Sequence, residues 1–457
     1  MRRQRASGRK NERKIKTARI AHSLQQQWLN RVKKLPVSDG SWCYSRPGLR
    51  NDPAQGWKIH VSATQLSANE VFSRVRPILR VRDILFKVPV RLHALGALNS
   101  GIGQFSQVGK FLTVYPSSTA EAIELARELH TATRGLRGPE IPFDVRYRKN
   151  SLVYYRYGVF RRPRKSAGIV YDAAGHPHPD RRAAGHAIPR WLKDPFRRSC
   201  AKPQKMRSRG PIGADYLPYK AIAQRGKGGI YEAVDLSVSP ARLVIIKEGR
   251  RDGETAWNGA DGYARVQQET RVLRLLRKAG VPVPEVLRQF SQNGTCYLVL
   301  EKIGGRQLFP RGAMQLRNIS WRRAAKFLER LEPVLSDIHA AGWVWRDCKP
   351  SHIFLDHGLV RLLDFEGACP VHETEILTWG SPNYLPRIYY DSFTRRPGVF
   401  EDRHALGVIA FQFGTGKFPP DKKQLRAILY RRTQCPDLLR EKIERLLSSK
   451  ISECSVK

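Results

Sequence analysis

Five short motifs in the second half of the chain follow one another in an order that suits phosphoryl transfer. They are Gly226, Gly228 and Gly229, then Lys247 in VIIKEG, Glu269 in VQQETR, Asp347 in WRDCKPSH and Asp364 in LLDFEGA. Glycines let a backbone approach triphosphate oxygens, a strand lysine neutralises phosphate charge, and a helix glutamate holds that lysine. One aspartate can accept a hydroxyl proton and the second can hold Mg²⁺. Each motif alone is common, but the ordered set predicts a phosphoryl-transfer site.

A second set of basic residues lies in the first third of the chain. Lys58 and His60, in GWKIHVSAT, fall on one face of a predicted strand because side chains alternate along a strand. Further cations follow at Lys87, Lys110, Arg146, Arg148 and Arg156. Cations gathered on one sheet repel one another unless they bind an anion, so the pattern favours a phosphate dianion. The alternative is that they are outward residues of ordinary amphipathic strands in a strongly basic protein.

The same residue types suit β-elimination of phosphate. A lysine that is crowded by cations and partly desolvated has a lowered pKa and can remove a Cα proton. A protonated histidine can donate a proton to the departing phosphate. The motifs of the second half therefore suggest transfer of a phosphoryl group, and the basic residues of the first third suggest elimination of phosphate.

The composition indicates the cellular compartment and the classes of partner that suit this protein. The 457 residues include 82 Lys and Arg against 40 Asp and Glu, a net charge of +42, which favours nucleic acid, nucleotide, phosphorylated peptide or acidic membrane. The sequence has no apolar run long enough to span a bilayer and no secretory signal after MRRQRASGRK. The seven cysteines form no C-x-x-C pair, so neither a disulfide framework nor a zinc site is expected. We expect a cytoplasmic protein.

The surrounding patterns predict an α+β protein in four parts. Residues 1–45 form a basic extension with an apolar residue every fourth position from Ile20 to Val32, which predicts a helix. The helix docks on the body or binds a membrane surface, nucleic acid or peptide. Residues 46–160 alternate strands and helices, and residues 161–215 form a basic, Pro- and Gly-rich linker or a loop crossing a cleft. In residues 216–450 strands precede helices, which predicts a small β-rich lobe on a helical one.

The last of these regions resembles the protein-kinase fold, with its glycine loop, V-A-I-K, H-R-D and D-F-G motifs. The resemblance implies an ATP- and Mg²⁺-dependent enzyme in which Lys247 contacts phosphate and Glu269 holds it. It makes Asp347 the catalytic base, Lys349 a γ-phosphate contact and Asp364 a metal ligand. The remaining carried-over positions are the nucleotide-binding Gly226, Gly228, Gly229, Glu301 and Ile303, the metal-binding His352, and Asp402, which braces the catalytic loop.

Four positions depart from the kinase pattern. Trp345 stands where H-R-D has histidine, and His352 stands at the metal-binding asparagine position. Glu366 takes the third position of D-F-G, and Arg387 takes the place of the A-P-E glutamate. An imidazole is a poorer Mg²⁺ ligand than an amide oxygen. A nucleotide-binding pseudokinase is therefore an alternative to an active kinase.

Residues 46–160 resemble the lyase domain of class III and class IV lanthipeptide synthetases, which are related to phosphothreonine lyases. GWKIHVSAT, LFKV, GKFLTVYP and VYYRYG carry this resemblance, and WLKDPF resembles the segment that joins lyase and kinase. It implies that Lys87 is the base, His60 the acid and Lys58 a phosphate contact. Gly101 and Phe105 stand where relatives tend to carry basic residues.

Together the resemblances predict an ATP-dependent Ser/Thr kinase coupled to a phosphoserine/phosphothreonine lyase that dehydrates a ribosomal precursor peptide. Full synthetases continue into a zinc-dependent cyclase, whereas this chain ends soon after the kinase-like region, so a separate cyclase is an expected partner. Two alternatives stay open. One is a signalling Ser/Thr kinase with a vestigial lyase domain, and the other is a pseudokinase module that binds peptide or nucleic acid.

Overall fold

A computed structural model describes residues 2–160, 168–197, 210–308, 320–389, 393–432 and 435–448, with side chains from residue 17 onward except at 422, 423, 431 and 432. Within these ranges an N-terminal domain of mixed helices and strands precedes a two-lobed domain. This confirms the α+β expectation. None of the helices in these ranges is long and apolar enough to cross a membrane.

The N-terminal domain is a seven-stranded antiparallel sheet with four helices. The helices are α1 (Arg2–Val32), α2 (Ala68–Val81), α3 (Leu92–Ser100) and α4 (Thr119–Ala132). The strands are β1 (Val37–Ser38), β2 (Trp42–Tyr44), β3 (Gln55–Val61), β4 (Leu85–Pro89), β5 (Leu112–Tyr115), β6 (Val145–Arg146) and β7 (Val153–Val159). Their order across the sheet is β1-β2-β4-β5-β3-β7-β6, which places the long strands β3 and β7 side by side.

The α1 helix docks on this domain through its C-terminal half. Trp28 is fully buried, its ring packs against Phe72 and Phe111, and its indole N–H donates to the carbonyl oxygen of Pro89 at 3.0 Å. Ile20, by contrast, is 40% exposed. The apolar stripe therefore packs on the domain from Leu24 to Val32, as a docked helix does.

The segment 168–197 wraps the sheet at β7. It contains a hairpin of β8 (Ile169–Tyr171) and β9 (Pro177–Pro179). Asp180 pairs with Arg156 at 2.6 Å, and Phe196 stacks on Tyr155 with ring centroids 4.0 Å apart. Because Arg156 and Tyr155 are adjacent in β7 and point to opposite faces, the segment contacts both sides of the sheet. The described part of the region 161–215 thus covers the sheet, whereas residues 161–167 and 198–209 lie outside the described residues.

The small lobe of the second domain is a five-stranded antiparallel sheet with one helix. Its elements are β10 (Tyr216–Arg225), β11 (Gly228–Asp235), β12 (Arg242–Arg250), α5 (Gly262–Lys278), β13 (Val286–Gln292) and β14 (Thr295–Glu301), with strand order β10-β11-β12-β14-β13. Asp261 begins α5 as its N-cap, because its side chain accepts from the backbone N–H of Ala264. The helix packs against β12, and this brings Glu269 over the strand that carries Lys247.

The large lobe is mostly helical. Its helices are α6 (Trp321–Ala340), α7 (Phe400–Thr415), α8 (Lys422–Ala427) and α9 (Asp437–Ser448). Its short strands are β15 (Arg306–Gln307), β16 (Trp343–Val344), β17 (Ile353–Asp356), β18 (Leu359–Leu362), β19 (Cys369–Pro370), β20 (Ile376–Leu377) and β21 (Thr394–Arg395). One apolar core runs from α5 through α6 to α7 and α9, so the two lobes share a hydrophobic core. The loops that carry Asp347 and Asp364 pack on this core.

Candidate active sites

Lys247 and two carboxylates form the centre of the site between the lobes. Lys247 Nζ lies 2.6 Å from Glu269 Oε1 and 3.3 Å from Asp364 Oδ1. Glu269 Oε1 also accepts the backbone N–H of Phe365 at 3.1 Å, so α5 holds both the lysine and the start of D-F-E. Burial disfavours the ammonium group, but the carboxylates of Asp364 and Glu269 outweigh it and raise the pKa of Lys247. The lysine is therefore a fixed positive charge.

Asp347 lies across the cleft, and its carboxylate contacts Lys349, Ser381 and His352. Its Oδ2 lies 2.7 Å from Lys349 Nζ, and its Oδ1 accepts the hydroxyl of Ser381 at 3.0 Å. Lys349 also donates to the Ser381 oxygen at 2.9 Å, which closes a three-residue ring. A carboxylate held in this way can accept a proton from a hydroxyl placed beside it. Ser381 had not been singled out from the sequence.

A buried carboxylate braces the loop before Asp347. Asp402 is fully buried and accepts the backbone N–H groups of Trp345 at 2.8 Å and Arg346 at 2.7 Å. Trp345 stacks on Phe365 with centroids 5.3 Å apart, and its indole N–H donates to the carbonyl oxygen of Asp364 at 3.1 Å. The tryptophan at the H-R-D position thus still ties the Asp347 loop to the Asp364 loop.

The other departure, His352, lies among the acidic residues of the cleft. The ligand atoms of Asp347, His352 and Asp364 all lie within 4.8 Å of one another. Burial lowers the pKa of His352 even though Asp364 acts in the opposite direction. Burial likewise disfavours the carboxylate of Asp364, but Lys247 and His352 lower the pKa of that group far below its usual range. A neutral imidazole and an ionised carboxylate are suitable ligands for a divalent cation.

The glycine turn joins the two domains. Gly226 donates its backbone N–H to the carbonyl oxygen of Ser100 at 3.0 Å, and a Cβ at Gly226 would collide with the Asn99 carbonyl oxygen. Gly228 has φ of +151°, and a Cβ there would collide with the backbone carbonyl of Glu248. Two of the three glycines predicted for the nucleotide loop are therefore also required for close backbone packing, because a side chain at either position would collide with a neighbouring carbonyl group.

Residues beside the glycine turn link it to the D-F-E segment. Lys227 forms an ion pair with Glu366, and Arg265 on α5 lies 3.3 Å from the other carboxylate oxygen of Glu366. The carboxylate of Glu366 and that of Asp364 raise the pKa of Lys227 against the effect of its burial. The glutamate at the third D-F-G position therefore has a cationic partner from each side.

The kinase pattern also singles out the positions of Glu301, Ile303 and Arg387. The Glu301 carboxylate pairs with Arg361 at 2.8 Å, and its backbone N–H donates to the carbonyl oxygen of Glu285 at 3.0 Å. Ile303 is partly buried just beyond β14. Arg387, at the A-P-E glutamate position, lies exposed in a short 3₁₀ helix.

In the N-terminal domain, one row of residues crosses the sheet. Lys87 pairs in register with Thr113, Thr113 with His60, and His60 with Tyr154. Lys58 lies two residues before His60 on the same face and pairs in register with Arg156. The strand pairing therefore brings together predicted residues from β3, β4 and β7.

Lys58 and Lys87 line a cavity of about 630 Å³ together with Tyr44, Tyr115 and Arg182. Burial, and repulsion by nearby cations including Arg182, lower the pKa of Lys58 to about 7 and that of Lys87 to about 8. Lys87 Nζ also lies 4.1 Å from the ring centroid of Trp42. Near neutral pH these amines can therefore exchange protons, which a general base must do.

Asp144 connects two other predicted residues. His60 Nδ1 lies 2.6 Å from Asp144 Oδ2, and Lys110 Nζ lies 3.1 Å from Asp144 Oδ1, with all three side chains almost completely buried. Burial disfavours the carboxylate, but Lys110 and His60 outweigh it and lower the pKa of Asp144 to about 2. Burial, with help from Lys110, lowers the pKa of His60 to about 3 although Asp144 opposes it. The ring is neutral until more negative charge arrives.

None of the four predicted phosphate ligands Lys110, Arg146, Arg148 and Arg156 lines this cavity, and neither does His60. Arg146 pairs with Glu140 at 2.9 Å and lies over the ring of Tyr154, while Arg148 lies over the ring of Tyr147. Arg156 is close to Lys58 but has Asp180 as its ion-pair partner.

The departures at Gly101 and Phe105 fall at the domain interface. A Cβ at Gly101 would lie 3.2 Å from the backbone nitrogen of Gly226. The Phe105 ring lies 5.9 Å from the guanidinium of Arg250 on β12. At these positions the chain packs on the small lobe.

Sequence reasoning missed Asp144, Arg182, Lys227 and Ser381. Asp144 is an acid two residues before Arg146 in a basic run, which is a weak signal, and Arg182 lies in the Pro- and Gly-rich segment. Lys227 stands inside the glycine cluster itself. Ser381 belongs to no predicted motif, since its partner Asp347 is 34 residues away.

Comparison with known proteins gives two family matches. The RamC N-terminal domain model matches residues 18–208, and the protein kinase domain model matches residues 219–453. A probable SapB synthase of Streptomyces coelicolor is 32% identical over 81% of this chain and 40% of its own length.

Kinases of other bacteria match a smaller share of this chain. The serine/threonine-protein kinase PknA of Mycobacterium tuberculosis is 30% identical over 46% of this chain and 48% of its own length. A protein of the same name in Nostoc is 28% identical over 44% of this chain and 38% of its length. The chain thus spans half or less of the length of these relatives, and its N-terminal region is shared with the SapB synthase.

Proposed function

Since the chain belongs to the protein kinase domain family and carries a RamC N-terminal domain, we propose that it phosphorylates a precursor peptide and then eliminates the phosphate. The substrate residues are serine and threonine, ATP is the donor, and the products are dehydroalanine and dehydrobutyrine. The observation that supports this most directly is the presence of two phosphate-suited sites in one chain. One is centred on Lys247 and Asp364, and the other on Lys58 and Lys87.

In the kinase step, Asp347 accepts the proton of the substrate hydroxyl while Lys349 and Ser381 hold its carboxylate in place. Lys247, fixed by Glu269, supplies positive charge to the nucleotide phosphates. A divalent cation, when bound, neutralises charge on the transferred group. Positioning and charge compensation do most of the work in such a site.

In the lyase step, Lys87 removes the Cα proton of the phosphorylated residue. The Cα–H electron pair becomes the Cα=Cβ double bond, the Cβ–O bond breaks, and phosphate leaves with its electron pair. His60 then donates a proton to the phosphate, because the arriving dianion raises the pKa of a histidine buried beside it. Lys58 and Lys110 hold the anion, and Asp144 keeps the imidazole oriented through Nδ1.

The experiment uses the full chain, ATP, Mg²⁺ and a Ser/Thr-containing peptide encoded by a neighbouring gene. We expect mass spectrometry to show loss of water from the peptide, no change with Asp347→Asn, and accumulated phosphopeptide with Lys87→Met. A synthetic phosphothreonine peptide tests the lyase step without the kinase. Unaltered peptide masses in both assays with the wild-type chain would contradict the proposal.

The same assays separate the alternatives. Phosphate that is added and survives the wild-type chain identifies a signalling kinase with a vestigial lyase domain. Peptide or nucleic-acid binding without any ATP-dependent mass change identifies a binding module, and steep weakening with salt identifies nucleic acid. Under the proposed function the reaction takes place in the cytoplasm, and a separate cyclase would be a further partner.

A further inference from the structure

The imidazole of His352 lies beside Asp347 and Asp364, where it could be a ligand of a bound cation. Its Nδ1 lies 3.1 Å from the backbone carbonyl oxygen of Asp347, and its Nε2 lies 3.4 Å from Asp364 Oδ2. The residue is 7% exposed, held in the short 3₁₀ helix Pro350–His352 that precedes β17. The imidazole ring is therefore held in position by the buried backbone around it.

The hydrogen bond at Nδ1 determines what Nε2 offers. A carbonyl oxygen only accepts, so Nδ1 carries the proton, and in a neutral ring Nε2 then has a free electron pair. That electron pair faces the carboxylate oxygen of Asp364. Metal-binding histidines have this arrangement, in which one ring nitrogen donates to a carbonyl and the other binds the metal.

Nitrogen and oxygen ligands differ in the cations they favour. Mg²⁺ prefers oxygen and dehydrates reluctantly, whereas first-row transition metals accept imidazole readily. The other groups at hand are the Asp364 carboxylate and phosphate oxygens, which are hard ligands and suit Mn²⁺ better than the tetrahedral, nitrogen- and sulfur-rich coordination of Zn²⁺. We propose that His352 is an inner-sphere ligand that makes Mn²⁺, rather than Mg²⁺, the preferred nucleotide-bound cation of this site.

This inference rests on the proposed kinase function but makes a separate claim about the metal. Its test is pulsed electron paramagnetic resonance of Mn²⁺ bound to the full chain with the β,γ-methylene analogue of ATP, which has no nitrogen near the phosphates. We expect nitrogen coupling to Mn²⁺ in the wild-type chain and loss of that coupling in His352→Asn and in His352→Gln. His357→Asn is the matched control, because His357 is 97% exposed on the same loop region.

Calorimetric titration of the same complexes gives the preference. We expect the wild-type chain to bind Mn²⁺ more tightly than Mg²⁺, and His352→Asn to lower the ratio of the two affinities by roughly tenfold or more. Bound Mn²⁺ without nitrogen coupling in the wild-type chain overturns the inference, and phosphate transfer by that same chain leaves the proposed function standing. A chain that binds no nucleotide with either cation overturns both.

Discussion

Gly226 donates its backbone N–H to the carbonyl oxygen of Ser100 at 3.0 Å, and this bond joins the glycine turn of the small lobe to helix α3 of the N-terminal domain. The turn is therefore held from outside the kinase region. Lys227, the next residue, pairs with Glu366 at the base of the cleft. The glycine turn is thus supported by the N-terminal domain on one side and by D-F-E on the other.

Gly226→Ala tests that contact. A Cβ at this position collides with the Asn99 carbonyl oxygen, so the turn must move away from α3. We expect a loss of about 1–3 kcal/mol in the free energy of unfolding, together with weaker nucleotide binding. Ser100→Ala is the control, because the backbone acceptor remains and only the exposed hydrogen bonds of the hydroxyl are lost, so the change should stay within about 1 kcal/mol. Denaturant unfolding and nucleotide titration measure both effects, and unchanged values for Gly226→Ala would show that the contact does not position the turn.

Ser381→Ala removes the hydroxyl that holds Asp347 and Lys349 together. We expect kcat for phosphorylation to fall roughly tenfold or more, with a smaller effect on KM for ATP, because the group acts on the base and not on the nucleotide. Ser381→Thr keeps the hydroxyl and should retain most of the rate. Equal losses in both variants would mean that steric fit at this position matters and the hydrogen bond does not.

Asp144→Asn removes the negative charge that compensates Lys110 and the carboxylate oxygen that holds His60 Nδ1. Because removing one partner of a buried ion pair leaves the other unpaired, we expect a loss of roughly 3–5 kcal/mol in the free energy of unfolding and loss of lyase activity. Glu140→Gln is the control, since its pair with Arg146 is half exposed and should contribute less than about 1 kcal/mol.

The lowered pKa of Asp144 also predicts how the stability of the chain depends on pH. The pKa of Asp144 is about 2 in the folded chain and 3.8 ordinarily, so its contribution to stability is fully present above about pH 4 and is lost as the pH falls towards 2. Asp144→Asn should lack that part of the acid dependence. Parallel curves for the two chains between pH 4 and 2 would contradict the assignment of this pKa.

Lys58→Met should stabilise the chain at neutral pH while abolishing phosphate elimination. Burial lowers the pKa of Lys58 from 10.5 to about 7, so between these values the unfolded chain binds the extra proton. The resulting destabilisation of the wild-type chain is greatest below pH 7 and disappears as the pH rises towards 10.5. We expect Lys58→Met to be more stable by roughly 2–4 kcal/mol at pH 7, with the difference shrinking at higher pH.

Thermal unfolding in phosphate buffer completes that test. Phosphate should raise the Tm of the wild-type chain because it binds the folded state, and should have less effect on Lys58→Met. Lys33→Met, at an exposed lysine near the end of α1, is the control and should respond to phosphate as the wild-type chain does. A wild-type Tm that does not change when phosphate is added would argue against an anion site at Lys58.

Much of the architecture could be predicted from local patterns. Alternation in GWKIHVSAT placed Lys58 and His60 on one face of a strand, and the structure has both on β3. The spacing of apolar residues predicted α1, and Trp28 packs as that stripe requires. The roles of Arg146 and Arg148 did not follow in the same way, because a strand pattern indicates a face but does not show which neighbour a long side chain will reach.

The sequence by itself determined the order of the phosphate-binding motifs and the faces on which the basic residues lie, because strand alternation and helix periodicity are local properties. Only the tertiary structure decided that Asp144 meets His60 across 84 residues and that Gly226 meets Ser100 in another domain. Such contacts depend on strand order and on the packing of loops, which no local pattern records. The pKa values of Lys58, Lys87 and His60 belong to the same class, because burial and the charges around these side chains exist only in the folded chain.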